Sequence, residues 1–316
     1  MIYNILAEYA VPDLSLLGLF LDWLVKNIGN IGWAVVVFTL ALKTVLLPLD
    51  YWSKASMKKN NLKMEKLRPQ LERLKKQYSH DEALYNQKLQ ALYKKEGYSV
   101  MGSCLPMIIT LLVFIFVFRA FNDYLSANIL TVYNNMIEAY ERVGAEAWAT
   151  EALKYESQIA PSFLWIKNVW RPDVPWERAL MSASNFMTQI GGQNVDAELY
   201  NTIMAPLTKE LNVVNGYLLL PILSAGSSLL LQFITSKTQK TQMELQGGNA
   251  AASNKMMMIM MPAMMGFFAI GWTSIFAIYL VTSSVYSILT TVVVNKIVDV
   301  RFAKEEQEIA MQKARR

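Results

Sequence analysis

Few of the 316 residues are equipped for chemistry. One Cys, Cys104, and one His, His80, exclude an intramolecular disulfide, multi-histidine zinc sites and hydrolytic machinery built on several histidines. No Walker-type G-x-x-x-x-G-K-S/T or G-x-G-x-x-G occurs, so nucleotide chemistry has no visible seat and no cofactor is expected. The informative group is a single lysine. Lys43 interrupts the apolar run that begins at Ile31, about seven residues or roughly 10 Å of helical rise from its end. An ammonium at a lipid-facing helix centre costs about 2.5–3.5 kcal/mol. Snorkelling along its four-carbon stem relieves that cost, and so does a wet cavity. No acidic residue lies inside the apolar runs to pair with it. Uncharged polar groups do: Thr39, Thr110, Ser224, Ser227, Ser228, Gln232, Thr282, Ser283, Ser284 and Ser287. Small hydroxyls glue helices together; around an unpaired lysine they equally line a cavity open to the cytoplasm. A lone cation there attracts carboxylates of a passing polypeptide but lacks the partner that acid–base catalysis needs.

The elements that position these groups follow from hydropathy. With 53% hydrophobic and 17% charged residues, a mean hydropathy of +0.23 and a net charge of +5, the chain reads as an all-α polytopic membrane protein. The reading is an outer N-terminal segment 1–30, span 1 at 31–50, a cytoplasmic hairpin 51–101 and span 2 at 102–124. An outer loop 125–216, span 3 at 217–236 and a cytoplasmic loop 237–254 follow. Spans 4 and 5, at 255–272 and 273–295, form a tight pair, and a basic tail 296–316 ends the chain. Residues 51–101 hold twelve basic and five acidic side chains, whereas 125–216 hold six and ten. The positive-inside rule then puts the N-terminus outside and the C-terminus in the cytoplasm. Leu14 to Ile28 reads as an amphipathic helix in the outer interface, or as an extension of span 1 that Gly29-Asn30 breaks.

In the hairpin, Leu67, Leu71, Leu74 and Tyr78 keep a narrow 4-3-4 seam, resumed at Tyr85, Leu89 and Leu92 after Ser79-His80-Asp81. Ser79 or Asp81 is placed to cap the second helix. Two such helices pack as an antiparallel pair with a basic outer surface that includes Lys58, Lys59, Lys75 and Lys76. That charge serves topology alone, anionic lipid, or ribosomal RNA or a targeting factor. The fourth span opens with Met256, Met257, Met258, Met260, Met261, Met264 and Met265. They either fill a core or form a surface that accepts varied apolar partners.

In order, Leu19-Phe20-Leu21-Asp22-Trp23, Gly29-Asn30-Ile31-Gly32, Lys43 through Pro48-Leu49, Lys63-Met64 through Leu67-Arg68-Pro69, Leu92-Tyr93-Lys94 and Gly102 through Pro106 form one series. With Phe163-Leu164-Trp165-Ile166 and the paired final spans, it resembles the YidC/Oxa-type membrane protein insertases over some two thirds of the chain. The resemblance implies a five-span core around a hydrophilic groove, closed outside, whose positive residue receives polar parts of a nascent chain. At the matching positions the groove takes Lys43, Thr39, Thr110, Ser227, Ser228, Gln232, Thr282 and Ser283. The client's apolar segment passes spans 2 and 4, at Met107, Leu111, Met257, Met261 and Met264. Ribosome or lipid contact falls to Lys58, Lys59, Lys75, Lys76, Arg315 and Arg316. The implied partners are nascent membrane proteins, membrane lipids, the ribosome, a targeting receptor and, in some members, the general secretion channel. No nucleotide is consumed. The family's usual Arg is Lys43 here, which keeps the charge and loses the bidentate fork. The large outer domain of some members and the lipid-modified Cys of others are absent from the first 30 residues, and the outer loop is unusually long. A small-solute transporter or channel is the alternative, but no internal repeat supports it. An intramembrane hydrolase lacks its acid–base pair.

Overall fold

The computed structural model describes residues 9–78, 80–97, 101–245 and 248–314. In chain order the helices are α1 Leu16–Ile28, α2 Ile31–Val45, α3 Leu47–Gln77, α4 Glu82–Lys95, α5 Met101–Glu151, α6 Glu156–Ile159, α7 Ala183–Gln189, α8 Ala197–Met204, α9 Thr208–Leu211, α10 Leu219–Leu245, α11 Gly248–Gly271 and α12 Ser274–Ala314. Among the described residues the only β-type pairing is two isolated bridges. The fold is that of an all-α polytopic membrane protein.

Among the described residues, three helical stretches are long and apolar enough to cross a bilayer: Leu111–Ile159, Leu219–Ser236 and Ser274–Met311. The pair Ile31–Val45 and Leu47–Gln77 qualifies only jointly, across a 51° bend. In the expected fourth span, Pro262–Gly271 is the apolar part of α11 among the described residues. The helices also outrun the expected boundaries. At about 1.5 Å per residue, the part of α5 before Gly144 alone extends about 65 Å, more than twice a hydrocarbon core. The helix continues from the expected second span far into 125–216 and is interrupted only at Gly144, whose φ of 75° lies in the left-handed region. Likewise α12 runs unbroken from the fifth span through the basic tail. Nothing in either sequence stops the helix where hydropathy falls.

The chain divides into two compact units. The first takes residues up to Ala41, Val113–Ala225 and Met264–Ser283. Its core stacks the apolar stripe of α5, Phe121, Tyr124, Leu125 and Tyr133, with Leu21 and Leu24 of α1 and Val35 and Phe38 of α2. An aromatic cluster joins Phe118, Trp272 and Phe276, with Trp272 and Phe276 edge-on at 4.5 Å. The segment 125–216 is folded rather than loose, with Trp170 and Phe186 fully buried.

Its organising group is Asp173, at 0% exposure. The carboxylate accepts from the backbone N–H of Tyr217 (2.7 Å) and Leu220 (2.6 Å) and from Trp165 Nε1 (3.2 Å). It therefore caps α10, where orphan N–H groups and the helix dipole favour an anion. Asn215 donates to the carbonyls of Asn168 and Pro172. Ser274, at the start of α12, donates from both its N–H and its hydroxyl to the Arg171 carbonyl. The segment 125–216 thus fixes the start of two apolar helices.

Gly29-Asn30-Ile31-Gly32 gains a physical reading here. Gly29 ends α1 at φ 76°, Asn30 Oδ1 accepts from the Trp33 N–H, and a Cβ on Gly32 would strike the Phe163 ring. We expect Gly32→Ala to cost about 1–3 kcal/mol through overpacking, read as a lower Tm in detergent, with recovery on adding Phe163→Ala. Asp173→Ala strands three donors, at about 1–3 kcal/mol for each that stays buried and unpaired. It should lower the Tm more than either Gly32 variant does.

Candidate functional site

The second unit comprises Leu42–Leu112, Gly226–Ala263 and the chain from Ser284 onward. It holds Lys43. Helix α2 ends at Val45 because Pro48, in the first turn of α3, has no N–H to continue the ladder, and the chain turns at Leu46. Lys43 therefore sits in the last turn of α2, half-buried, with its Nζ 3.4 Å from Ser287 Oγ on α12. The neighbouring Thr44 hydroxyl lies 3.1 Å from Tyr286 OH.

One helical stripe of α12 answers a series of lysines. Ser287, Thr291, Asn295 and Asp299 recur every four residues, so they share a face. Lys43 donates to Ser287, Lys54 to Thr291 Oγ1 (2.6 Å) and Lys58 to Asp299 (2.9 Å). Lys58 also reaches Glu306 (3.0 Å), and Lys66 reaches Glu305 (2.9 Å). The acceptors change along the stripe. Lys43 and Lys54 meet hydroxyls, and among the described residues neither forms an ion pair. Lys58 and Lys66 meet carboxylates. Burial works against the Lys58 charge, but the hydrogen bonds it donates to Asp299 and Glu306 and their negative charge outweigh it and hold its pKa above the ordinary value. Asp50, at the end of the expected first span, is the one acidic group whose field both Lys43 and Lys54 feel. It adds a carboxylate to surroundings that hydropathy presents as acid-free.

Beside Lys54 lies a recess of about 180 Å³. Ser53, Lys54, Lys58 and Asn61 of α3, Thr235 of α10, and Thr291, Asn295 and Asp299 of α12 supply its polar groups, and with Met57 and Val298 they complete a lining whose free surface is mostly apolar. That space accommodates several waters. Lys54, Asn61, Thr235, Thr291 and Asn295 were not singled out from the sequence as site residues. The signal that could have found them is the four-residue polar repeat on α12, which carries Ser287 past the expected end of the span.

The expected groove residues fall as follows. Ser227, Ser228 and Gln232 are half-buried on α10 in this unit. Thr39, Thr282 and Ser283 belong to the first unit. Thr39 is fully buried and donates to the Val35 carbonyl of its own helix (2.6 Å), and Ser283 bonds Tyr279. The side chains of Thr110, Met107, Met257 and Met261 lie outside the described residues, as do Arg315 and Arg316. Leu111 and Met264 are exposed, at 55% and 42%. Lys59, Lys75 and Lys76 are exposed, whereas Lys58 is engaged by its two carboxylates.

In the hairpin, Met64, Leu67 and Leu71 of α3 are buried against Leu89, Leu92 and Tyr93 of α4. The contact starts one turn earlier than the expected seam, at Met64, and leaves Leu74 and Tyr78 only half-buried. Asp81 caps α4, accepting from the Leu84 N–H (2.9 Å); Ser79 lies outside the described residues.

Residues 23–301 match the family described as 60Kd inner membrane protein. The chain belongs to this family, the YidC/Oxa family. It is similar to the membrane protein insertase YidC of Leptospira interrogans, 28% identical over 202 residues, 60% of this chain and 26% of that protein. It is similar also to the insertase YidC of Wolinella succinogenes (34% over 117 residues; 37% and 20%) and of Thioalkalivibrio sulfidiphilus (39% over 95 residues; 30% and 16%). The chain spans about a quarter or less of the length of these relatives. As a YidC/Oxa-family chain with several apolar helices it is an integral membrane protein.

Thr291→Val leaves the Lys54 ammonium without its short hydrogen bond. We expect a loss of about 1–3 kcal/mol in thermal unfolding in detergent. Lys54→Met combined with Thr291→Val should recover most of it, since an apolar pair has no unmet donor. Independent, additive losses in the double variant would show that the two groups are not coupled.

Proposed function

We propose that this protein is a membrane protein insertase and chaperone, which integrates newly made membrane proteins without consuming a nucleotide and without acting as an enzyme. The observation that carries the reading is the stripe of cations answered by hydroxyls. A lysine already locked to a carboxylate has little attraction left for another anion. Lys43, donating over 3.4 Å to a serine, keeps most of its charge available. It can hold a polar or acidic segment of a client for a time, and Ser287 and the wet recess around Lys54 replace part of that segment's lost hydration. Half-buried Ser227, Ser228 and Gln232 extend the same polar surface.

Exposed apolar side chains support the second half of the cycle. Met256, Ile259 and Met260 of α11 and Leu111 and Leu112 of α5 are 49–66% exposed. Flexible thioethers suit contact with clients of varied shape. The client's own partitioning into lipid, about 25 cal/mol per Å² of apolar surface buried, supplies the driving force. In this reading five spans cross a bacterial cell membrane with the N-terminus outside and the C-terminus in the cytoplasm. The α3–α4 hairpin then presents Lys59, Lys75 and Lys76 to the ribosome, a targeting receptor or anionic lipid. Nascent membrane proteins are the clients, and the general secretion channel is a further partner.

Proteoliposomes holding the purified protein and a small single-span client with an acidic outer tail, with no ATP, test the reading. Wild type and Lys43→Arg should insert the client to a protease-protected form. Lys43→Ala should lose most of the yield and Lys43→Glu nearly all of it. Full insertion by Lys43→Glu would exclude a charge-based role for the groove, and no insertion by wild type would exclude the function. Removing the hairpin tips, residues 72–90, should reduce delivery of ribosome-bound clients while the protein still assembles in the membrane.

A further inference from the structure

The outer segment 125–216 has no role in the reading above, yet one edge of it is oddly apolar. Phe163 and Ile166 close a tight turn through two backbone hydrogen bonds of 3.0 and 2.9 Å, and Leu164 stands at its tip. Leu164 is 66% exposed and holds φ at 53°, in the left-handed region that leucine rarely adopts. Nearby, Trp176 and Tyr217 are each 62% exposed. They are neighbours through the backbone: the Asn215 N–H donates to the Glu177 carbonyl, and Asp173 ties Trp165 to the Tyr217 N–H. A leucine in a costly backbone conformation and two large aromatics facing outward would be a liability in water.

The position of this edge says what covers it. Phe163 lies on Gly32 and edge-on to Trp33 at 5.3 Å, at the first turn of α2. Tyr217 precedes by two residues Leu219–Ser236, an 18-residue apolar helix of about 27 Å, close to one hydrocarbon thickness. Both anchors therefore sit at the starts of apolar helices that cross a bilayer. The apolar surface continues without a break from the turn into those helices: Trp33, Leu219 and Ile222 are 53%, 41% and 64% exposed. From Leu211 to Ser236 the sequence holds no charged residue, so the uncharged stretch begins eight residues before α10 does. Trp and Tyr favour this headgroup level, where an apolar ring and a polar tip are both satisfied.

We infer that the Phe163–Ile166 turn, Trp176 and Tyr217 form an interfacial anchor, with Leu164 and the Trp176 ring inserted into the lipid of the outer leaflet. The segment then lies against the membrane rather than standing off in water. Through Asp173 and Gly32 it holds the starts of α10 and α2 at a set depth. The occupant is lipid, since the surface continues that of the spans, and the exposed Lys167 and Arg178 beside the turn and Trp176 are placed for the headgroup level just above the apolar tips.

Depth-dependent quenching tests this. Leu164→Cys and Trp176→Cys, each in a Cys104→Ser background, are labelled with an environment-sensitive fluorophore in proteoliposomes of phosphatidylcholine and phosphatidylglycerol. Glu198→Cys and Lys209→Cys, at exposed charged sites of the same segment, serve as aqueous controls. Brominated lipid should quench the first pair at least threefold more than the controls, with iodide showing the reverse order. Quenching of Leu164 and Trp176 by iodide at the control level would overturn the proposal. Protection from both quenchers would also overturn it, since a protein would then cover the edge. Hydroxyl-radical footprinting of the unsubstituted protein in nanodiscs gives a second reading without mutation. Trp176 and Tyr217 should stay nearly unmodified, and oxidation at the rate their 62% exposure allows would overturn the anchor.

Discussion

An ammonium on an apolar helix must be answered by something, and in this protein the answer changes with position along one stripe. Ser287 and Thr291 meet Lys43 and Lys54, while Asp299, Glu305 and Glu306 meet Lys58 and Lys66. A carboxylate in direct contact with Lys43 would have neutralised it and made a static strut; Asp50 acts on it only through its field. A hydroxyl satisfies one of its three donors and leaves the net charge in place. The carboxylate pairs lie toward the charged ends of α3 and α12, where they join the two helices and allow the deeper lysines to stay uncompensated. The groove chemistry proposed for this protein depends on that graded exchange of acceptors.

Long helices make the grading achievable. Because α12 does not end where its hydropathy does, one rigid face carries Ser287, Thr291, Asn295 and Asp299 through about 18 Å of rise. α3, restarted by Pro48 after the bend at Leu46, presents Lys54 and Lys58 four residues apart to match. In the first unit the opposite strategy holds. Aromatic packing of Phe118, Trp272 and Phe276 and the apolar stripe of α5 dominate, and Asp173 and Thr39, both fully buried, hydrogen-bond to backbone.

Much of the local reading survives because it rests on short-range physics. Gly29-Asn30 does break the chain between two helices, Asp81 does cap the second hairpin helix, and the hairpin helices meet along an apolar seam. The expected edges of the spans differ from the helix ends for a definite reason: hydropathy reports where lipid is tolerated, whereas helix ends require a cap, a proline or a glycine. Between residues 124 and 143, and again after 295, none intervenes. The shift of the seam toward Met64 and away from Tyr78 has a similar cause. Heptad spacing fixes a face of the helix but not where along that face its partner begins.

Sequence alone determined the all-α membrane character, the family and the singular lysine, since each follows from composition, order or one residue out of place. It also contained the repeat of polar residues every four positions on α12, although hydropathy divides that repeat between span and tail. What tertiary structure decided is which hydroxyl faces which lysine, and that Thr39 is closed on its own helix while Lys54 opens on a recess. It also decided that Asp173 ties residues 165, 217 and 220 into one knot. Those outcomes depend on contacts between segments far apart in the chain, whose register is set by packing and which no local spacing encodes.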